Sequence, residues 1–220
     1  MAVDAVVFDL DGVLVDSEQV WGAVREQLTR ELGGSWHPRA LREMMGMSSL
    51  EWSRYMHDEL AVPLPPADIS REVVKRVGES YAQRLPLIDG AVEAVQRLAA
   101  RWPLGLASSA NREIIDRVLE LTGLRSAFAA TVSSEEVPRG KPAPDVYLEA
   151  AARLGIDPRH GAAVEDSTNG LLSAKAAGFA VIAIPNRAFP PAPEGLAAAD
   201  VVLGSLHDLT PEAVEELVPA

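Results

Sequence analysis

The chain has 220 residues, 48% of them hydrophobic and 24% charged, enough apolar material for the core of one large domain or of a domain with an insert. Cys is absent, which excludes disulfides, thiolate metal sites and a cysteine nucleophile. The 20 basic and 32 acidic residues leave a net charge of −12, which disfavours nucleic acid and anionic membrane surfaces as partners.

Residues 3–8 form a short apolar run that stops at Asp9, the pattern of a strand buried on both faces of a parallel sheet. From about residue 17 to residue 84 the spacing turns helical. Trp21, Val24 and Leu28 share one face, Ile69, Val73, Val77 and Tyr81 another, and no strand signal intervenes. Beyond Pro86 the helical patterns 91–102, 112–122, 146–154 and 171–177 alternate with short Val-, Ile- and Ala-rich runs at 104–107, 129–133, 162–164, 180–184 and 200–203. Gly123, Gly155 and Gly178 stand just past three of these helices, where a left-handed residue ends a helix. Residues 185–193, with four prolines, read as an irregular loop. No apolar run reaches the roughly 18 residues of a membrane span and no signal-peptide pattern opens the chain, so a soluble, cytoplasmic protein is expected.

Alternating strands and helices imply an α/β fold, a doubly wound, Rossmann-like parallel sheet with right-handed crossovers. The expected division is a core of residues 1–16 and 86–220 with an inserted α-helical cap at 17–85. In such sheets ligands bind beyond the carboxyl ends of the strands. Four polar clusters fall just there. Asp9 and Asp11, two apart at the end of the first strand, can face one side, with Gly12 allowing a tight turn; read alone, the pair is equally a helix cap and a turn. Ser108 and Ser109 close the second strand, although Ser108 or Asn111 would also cap the following helix. Lys141 lies in a loop stiffened by Pro142 and Pro144 and loosened by Gly140, with Arg139 as a less constrained substitute. Glu165 and Asp166 end the fourth strand, where adjacent like charges gain little without a counter-charge.

Parallel strands deliver all four clusters to one edge. Four carboxylates against one ammonium call for a divalent cation and for one protonated carboxyl, and donors that are all oxygen point to Mg²⁺ rather than Zn²⁺ or copper. A carboxylate nucleophile, a second carboxyl two residues on, a hydroxyl and a Lys suit phosphoryl transfer through an acyl phosphate. Asp9 attacks phosphorus, Asp11 protonates the departing oxygen and then activates water, and Ser108 and Lys141 hold the phosphoryl oxygens. The four histidines, His37, His57, His160 and His207, show no metal-ligand spacing, and most read as solvated surface residues.

These motifs resemble those of the haloacid dehalogenase-like (HAD) superfamily of phosphotransferases over essentially the whole chain. They are Asp9-Leu10-Asp11-Gly12 with Asp16-Ser17-Glu18, then Ser108-Ser109, then Lys141-Pro142-Ala143-Pro144, then Glu165-Asp166-Ser167 with Gly170. The resemblance implies the same roles for Asp9, Asp11, Ser108 and Lys141, and a Mg²⁺ on Asp9, the Asp11 backbone carbonyl and Asp166 with Glu165 alongside. It also implies a helical cap like that of phosphoglycolate phosphatases, sugar phosphatases and β-phosphoglucomutases. Asp11 argues against a dehalogenase. A mutase would carry basic residues beside a cap glycine, yet Gly46 stands among Met44, Met45, Met47, Ser48 and Ser49, and Trp21 replaces the His of sugar mutases. The expected function is therefore a Mg²⁺-dependent phosphatase of a small organic phosphomonoester, working as a monomer or homodimer. Gly12, Ser109, Asn111, Met47 and Ser48 are its expected substrate contacts, although the Met cluster also reads as cap core. A β-phosphoglucomutase-like sugar phosphomutase, or a non-catalytic ligand-binding relative, is the alternative.

Overall fold

The computed structural model describes residues 3–45 and 47–217, so Gly46 lies outside the described residues. Six strands, β1 (Ala5–Phe8), β2 (Leu104–Ser108), β3 (Phe128–Ser133), β4 (Gly161–Glu165), β5 (Ala180–Ala183) and β6 (Val201–Val202), form one sheet. Their order is β3-β2-β1-β4-β5-β6 and every pairing is parallel. The order reverses beside β1, which opens a crevice at the carboxyl end between β1 and β4.

Residues of β1, β2 and β4 are buried throughout, as a sheet covered on both faces requires. Alternation splits them: Val6 and Phe8 join Leu104, Leu106, Ala162 and Val164 on one face, while Val7, Ala107 and Ala163 join Val181 on the other. The first face packs on α5 (Ala91–Ala99) and α6 (Arg112–Thr122), through Val95, Leu98, Ile115 and Leu119. The second packs on α7 (Asp145–Leu154) and α8 (Thr168–Ala177), through Tyr147, Ala150, Leu171 and Ala174. Gly123, Gly155 and Gly178 take the expected left-handed conformation just past α6, α7 and α8.

Between β1 and α5 the described residues form four helices, α1 (Glu18–Glu31), α2 (Ala40–Met44), α3 (Ser49–Asp58) and α4 (Pro66–Gln83). Their apolar stripes, among them Trp21, Leu28, Trp52, Met56, Ile69 and Val73, join the apolar cluster of the first sheet face. Where the chain leaves for these helices and returns, it pairs with itself: the Asp16 amide donates to Pro86 O at 2.8 Å and the Ile88 amide to Leu14 O at 3.0 Å.

Three details depart from the pattern expected of the sequence. α5 stops at Ala99 rather than 102, and β6 is confined to two residues. Two short helices, α9 (Pro193–Ala198) and α10 (Pro211–Glu215), each begin on a proline. A proline lacks an N–H that the first helical turn leaves unpaired anyway, so it opens a helix as readily as it marks a loop. No described helix is long and apolar enough to cross a membrane.

Candidate active site

Phe8 pairs with Leu106 of β2 and Val164 of β4. One residue further, Asp9, Ala107 and Glu165 come level at the rim of the sheet. Lys141 reaches this level from the loop before α7, and its ammonium donates to Asp9 Oδ1 at 2.8 Å, Glu165 Oε1 at 2.6 Å and Ala107 O at 3.0 Å. An ammonium has three donors, and all three are used. Beneath it, Tyr147 donates its hydroxyl to Glu165 Oε1 at 2.9 Å and places its ring centre 5.2 Å from the Lys141 nitrogen. The second Glu165 oxygen accepts from the Asp166 amide at 3.1 Å and the Ser167 hydroxyl at 3.3 Å. Glu165 is fully buried and both its oxygens are engaged.

Carboxylate oxygens of Asp9, Glu165 and Asp166 lie within 4.8 Å of one another. Burial, then the charge of Glu165, pushes Asp9 up to about 8, with Lys141 pulling the other way. Burial raises Asp166 well above the ordinary carboxylate range, reinforced by Glu165 and Asp9. Asp11 is raised by burial, against the nearby hydroxyls of Ser17 and Ser108 and the charges of Lys141 and Arg25. One ammonium does not balance this many acids. Oδ1 of Asp11 and Oδ1 of Asp166 are both buried without a hydrogen-bond partner. Unpartnered oxygens on clustered carboxylates, with no sulfur or imidazole beside them, fit a hard divalent cation.

Two glycines let these acids come so close. A Cβ on Gly12, which has φ +82°, would stand 1.9 Å from Asp166 Oδ2, and one on Gly170 would stand 1.9 Å from Glu165 Oε1.

Above the rim is a cavity of about 200 Å³. Of the residues expected from the sequence, Asp9, Asp11, Ser109, Asn111, Lys141, Asp166 and Met47 line it. The remaining four, Ser108, Gly12, Ser48 and Glu165, stand behind or beside its wall. Ser108 is fully buried and accepts from the Ala110 amide at 3.0 Å, which leaves its own proton to donate. Gly12 spends its amide on Val15 O at 2.8 Å. Ser48 caps α3, where its amide and hydroxyl both donate to Glu51 Oε2 at 2.7 Å. Asn111 links α3 to the residues just past the end of β3: its Oδ1 accepts from Ser49 of α3 at 2.8 Å and its Nδ2 donates to Glu135 at 2.6 Å. None of the four histidines lines the cavity.

Helices α1 and α3 add a wall that the motifs do not announce. Glu18, Trp21 and Arg25 of α1 and Trp52 of α3 line the cavity. The signal for Arg25 is its place four residues after Trp21, on the face of α1 that also carries Leu28 and Thr29, where a solvated charge does not belong. Tyr147, below Lys141, sits on the apolar face of α7 and carries no mark of its own in the sequence.

The strand order, the acid-rich rim at the switch point and the helices inserted after β1 define a HAD-like hydrolase, and the family model for haloacid dehalogenase-like hydrolase matches residues 3–178. The chain belongs to this family. It is 34% identical to hexitol phosphatase B of Escherichia coli (strain K12) over 94% of each chain, and 30% identical to a probable pseudouridine-5'-phosphatase of Drosophila melanogaster over 94% of this chain and 91% of that one. Among solved structures, CbbY from Rhodobacter sphaeroides in complex with phosphate superposes with a TM-score of 0.86 at 27% identity, covering 97% of this chain and 99% of that one. A β-phosphoglucomutase from Clostridium difficile shares the fold, with a TM-score of 0.83 at 20% identity over 99% of this chain and 97% of that one. Phosphatases of this family typically use a divalent metal, and the acidic cluster at the sheet edge is consistent with one.

Proposed function

We propose that the protein is a Mg²⁺-dependent phosphatase that hydrolyses a small organic phosphomonoester through an aspartyl phosphate on Asp9. The observation that carries this reading is the buried Lys141 ammonium, which ties Asp9 Oδ1 to Glu165 and the β2 carbonyl at one level of the sheet. Asp9 is thereby fixed in orientation, and its other oxygen is left to attack phosphorus. As the P–O ester bond breaks, Asp11 gives its proton to the departing alkoxide. Burial holds that proton on Asp11 at higher pH than an ordinary carboxyl would keep it. In the second half Asp11 takes a proton from the water that attacks the phosphorus of the aspartyl phosphate, and inorganic phosphate leaves.

The Lys141 ammonium stabilises the phosphoryl oxygens through its charge and the Ser108 hydroxyl donates to one of them, a donor of this kind contributing about 2.7–4 kcal/mol to the barrier reduction. Asp9, Asp166 and the Asp11 backbone carbonyl would hold Mg²⁺, which supplies positive charge against those oxygens. Glu165, with both oxygens engaged, would act from behind by fixing Lys141 and the Asp166 amide. Helices α1–α4, residues 17–85, form a cap over a core of 1–16 and 86–220. Two features favour the phosphatase over the mutase alternative: the indole of Trp21 cannot exchange a proton as an imidazole does, and the described residues 44–49 offer no basic side chain toward the cavity.

Phosphate release from p-nitrophenyl phosphate and from a hexitol 6-phosphate, with Mg²⁺ and with EDTA, tests the proposal. EDTA should abolish turnover, Mg²⁺ should restore it, and Asp9→Asn should lower kcat by at least about 10⁴-fold. Activity that survives both chelation and Asp9→Asn would overturn the mechanism.

A further inference from the structure

Two charged side chains of the cavity, Glu18 and Arg25, take no part in the chemistry above. Arg25 is 5% exposed. Its guanidinium sits 5.0 Å from the Trp21 ring centre and 4.7 Å from that of Trp52, and the two rings meet edge to face at 6.0 Å. The cation is thus held in an aromatic slot. Its Nε is buried without a hydrogen-bond partner, and none of the ion pairs among the described residues includes it. Glu18 and Asp11 act on it through charge alone, and burial pulls its pKa down only to about 10, so it stays protonated. An unsatisfied buried donor is costly, and a guanidinium kept in that state at a cavity wall finds its acceptor in what enters the cavity.

Glu18, Trp21 and Arg25 recur at i, i+3 and i+7 on α1, one face of the helix, and all three line the cavity. This face presents a carboxyl group, an indole and a guanidinium fork side by side, opposite the Asp9–Lys141 floor.

We propose that Arg25 and Glu18, with Trp21 between them, form the subsite for the leaving group, and that it takes a neutral polyhydroxylated chain. Arg25 donates to one hydroxyl oxygen, Glu18 accepts from another, and the Trp21 ring covers the carbon chain between. This deepens the phosphatase reading and rests on it. A second anionic group fits the subsite less well: Glu18 and Asp11 already face Arg25, and Lys141, the other cation lining the cavity, is fully engaged by Asp9, Glu165 and Ala107. A leaving group without hydroxyls would leave the Arg25 donor unsatisfied.

Four phosphates separate these cases: glucitol 6-phosphate, hexyl phosphate, fructose 1,6-bisphosphate and p-nitrophenyl phosphate, each assayed for phosphate release by the full chain with Mg²⁺. The wild-type enzyme should prefer glucitol 6-phosphate to hexyl phosphate by about 10²-fold or more in kcat/KM. Arg25→Met should cut kcat/KM for glucitol 6-phosphate by about 10²-fold and reduce that for p-nitrophenyl phosphate far less. Arg25→Lys, which keeps the charge without the fork, should recover only part of the loss. Equal losses on both substrates would make Arg25 a packing residue and overturn the proposal. So would wild-type indifference between glucitol and hexyl phosphates, a comparison that holds even if Arg25→Met does not fold. A preference for the bisphosphate that disappears in Arg25→Met would replace the neutral chain by a second anion. A wild-type enzyme inactive on all four would instead sink the phosphatase reading itself.

Discussion

At the floor of the cavity Lys141 uses all three of its donors and Glu165 has both oxygens engaged. On the facing wall Arg25, equally buried, has aromatic neighbours and no acceptor. The Lys141–Glu165 pair is in place before any substrate arrives, as preorganised charge at a reacting centre should be. The wall is left one partner short, which suits a surface that must recognise whatever chain the phosphate carries. In the proposed mechanism, chemistry and selectivity thus fall to two sets of residues that face each other across the cavity.

The largest effect should follow from breaking the floor. Lys141→Met leaves Asp9, Glu165 and Asp166 facing one another with no ammonium, and should cost about 3–5 kcal/mol of stability in urea unfolding. Turnover of p-nitrophenyl phosphate should fall about 10²–10³-fold. If stability falls while kcat holds, the floor is scaffolding and not machinery.

Much of this floor is legible in the sequence because Asp9, Ser108 and Glu165 each follow directly on an apolar run, while Lys141 stands out by its stiffened loop. Once the runs are parallel strands, Asp9, Ser108 and Glu165 can only arrive at one edge. The wall is harder to read. Arg25 is one of two Arg on a helix whose period is plain, and only its place on the Trp21 face distinguishes it in the sequence from the exposed Arg30. Met47 reaches the cavity as expected, whereas Ser48, equally near in sequence, turns to cap α3 with Glu51, a competition that the Ser-x-x-Glu spacing itself encodes. Helices α9 and α10 are hidden because a proline marks a helix start and a loop alike.

A middle-sized effect should come from the wall. Burial raises Glu18 to about 7, from the usual carboxyl value of 4.5. The folded state therefore holds this proton more tightly than the unfolded chain, so the Glu18 contribution is full below about pH 4.5 and is lost as pH rises through 7. Glu18→Gln, unfolded in urea with EDTA present, should be more stable than wild type by up to about 3 kcal/mol at pH 8, with the gap closing near pH 4. A gap independent of pH would mean that Glu18 does not titrate in this range.

The smallest effect should be at the seam. Ser49→Ala removes the 2.8 Å hydrogen bond from α3 to Asn111 and should cost about 1 kcal/mol in thermal or urea unfolding. KM should rise a few-fold while kcat changes little, since Asn111 keeps its bond to Glu135 and the floor is untouched. A fall in kcat as large as that of Lys141→Met would show that the two parts are not separable.

The two glycines under the acid pair carry a consequence for how this chain can vary. At most positions an added methyl group is answered by a neighbour that swings aside. At Gly12 and Gly170 the obstructing atoms are the oxygens of Asp166 and Glu165 themselves. Alanine there would displace the carboxylates proposed to hold the metal and to fix Lys141, so a single methyl group that touches no substrate should lower turnover much as losing an acid would.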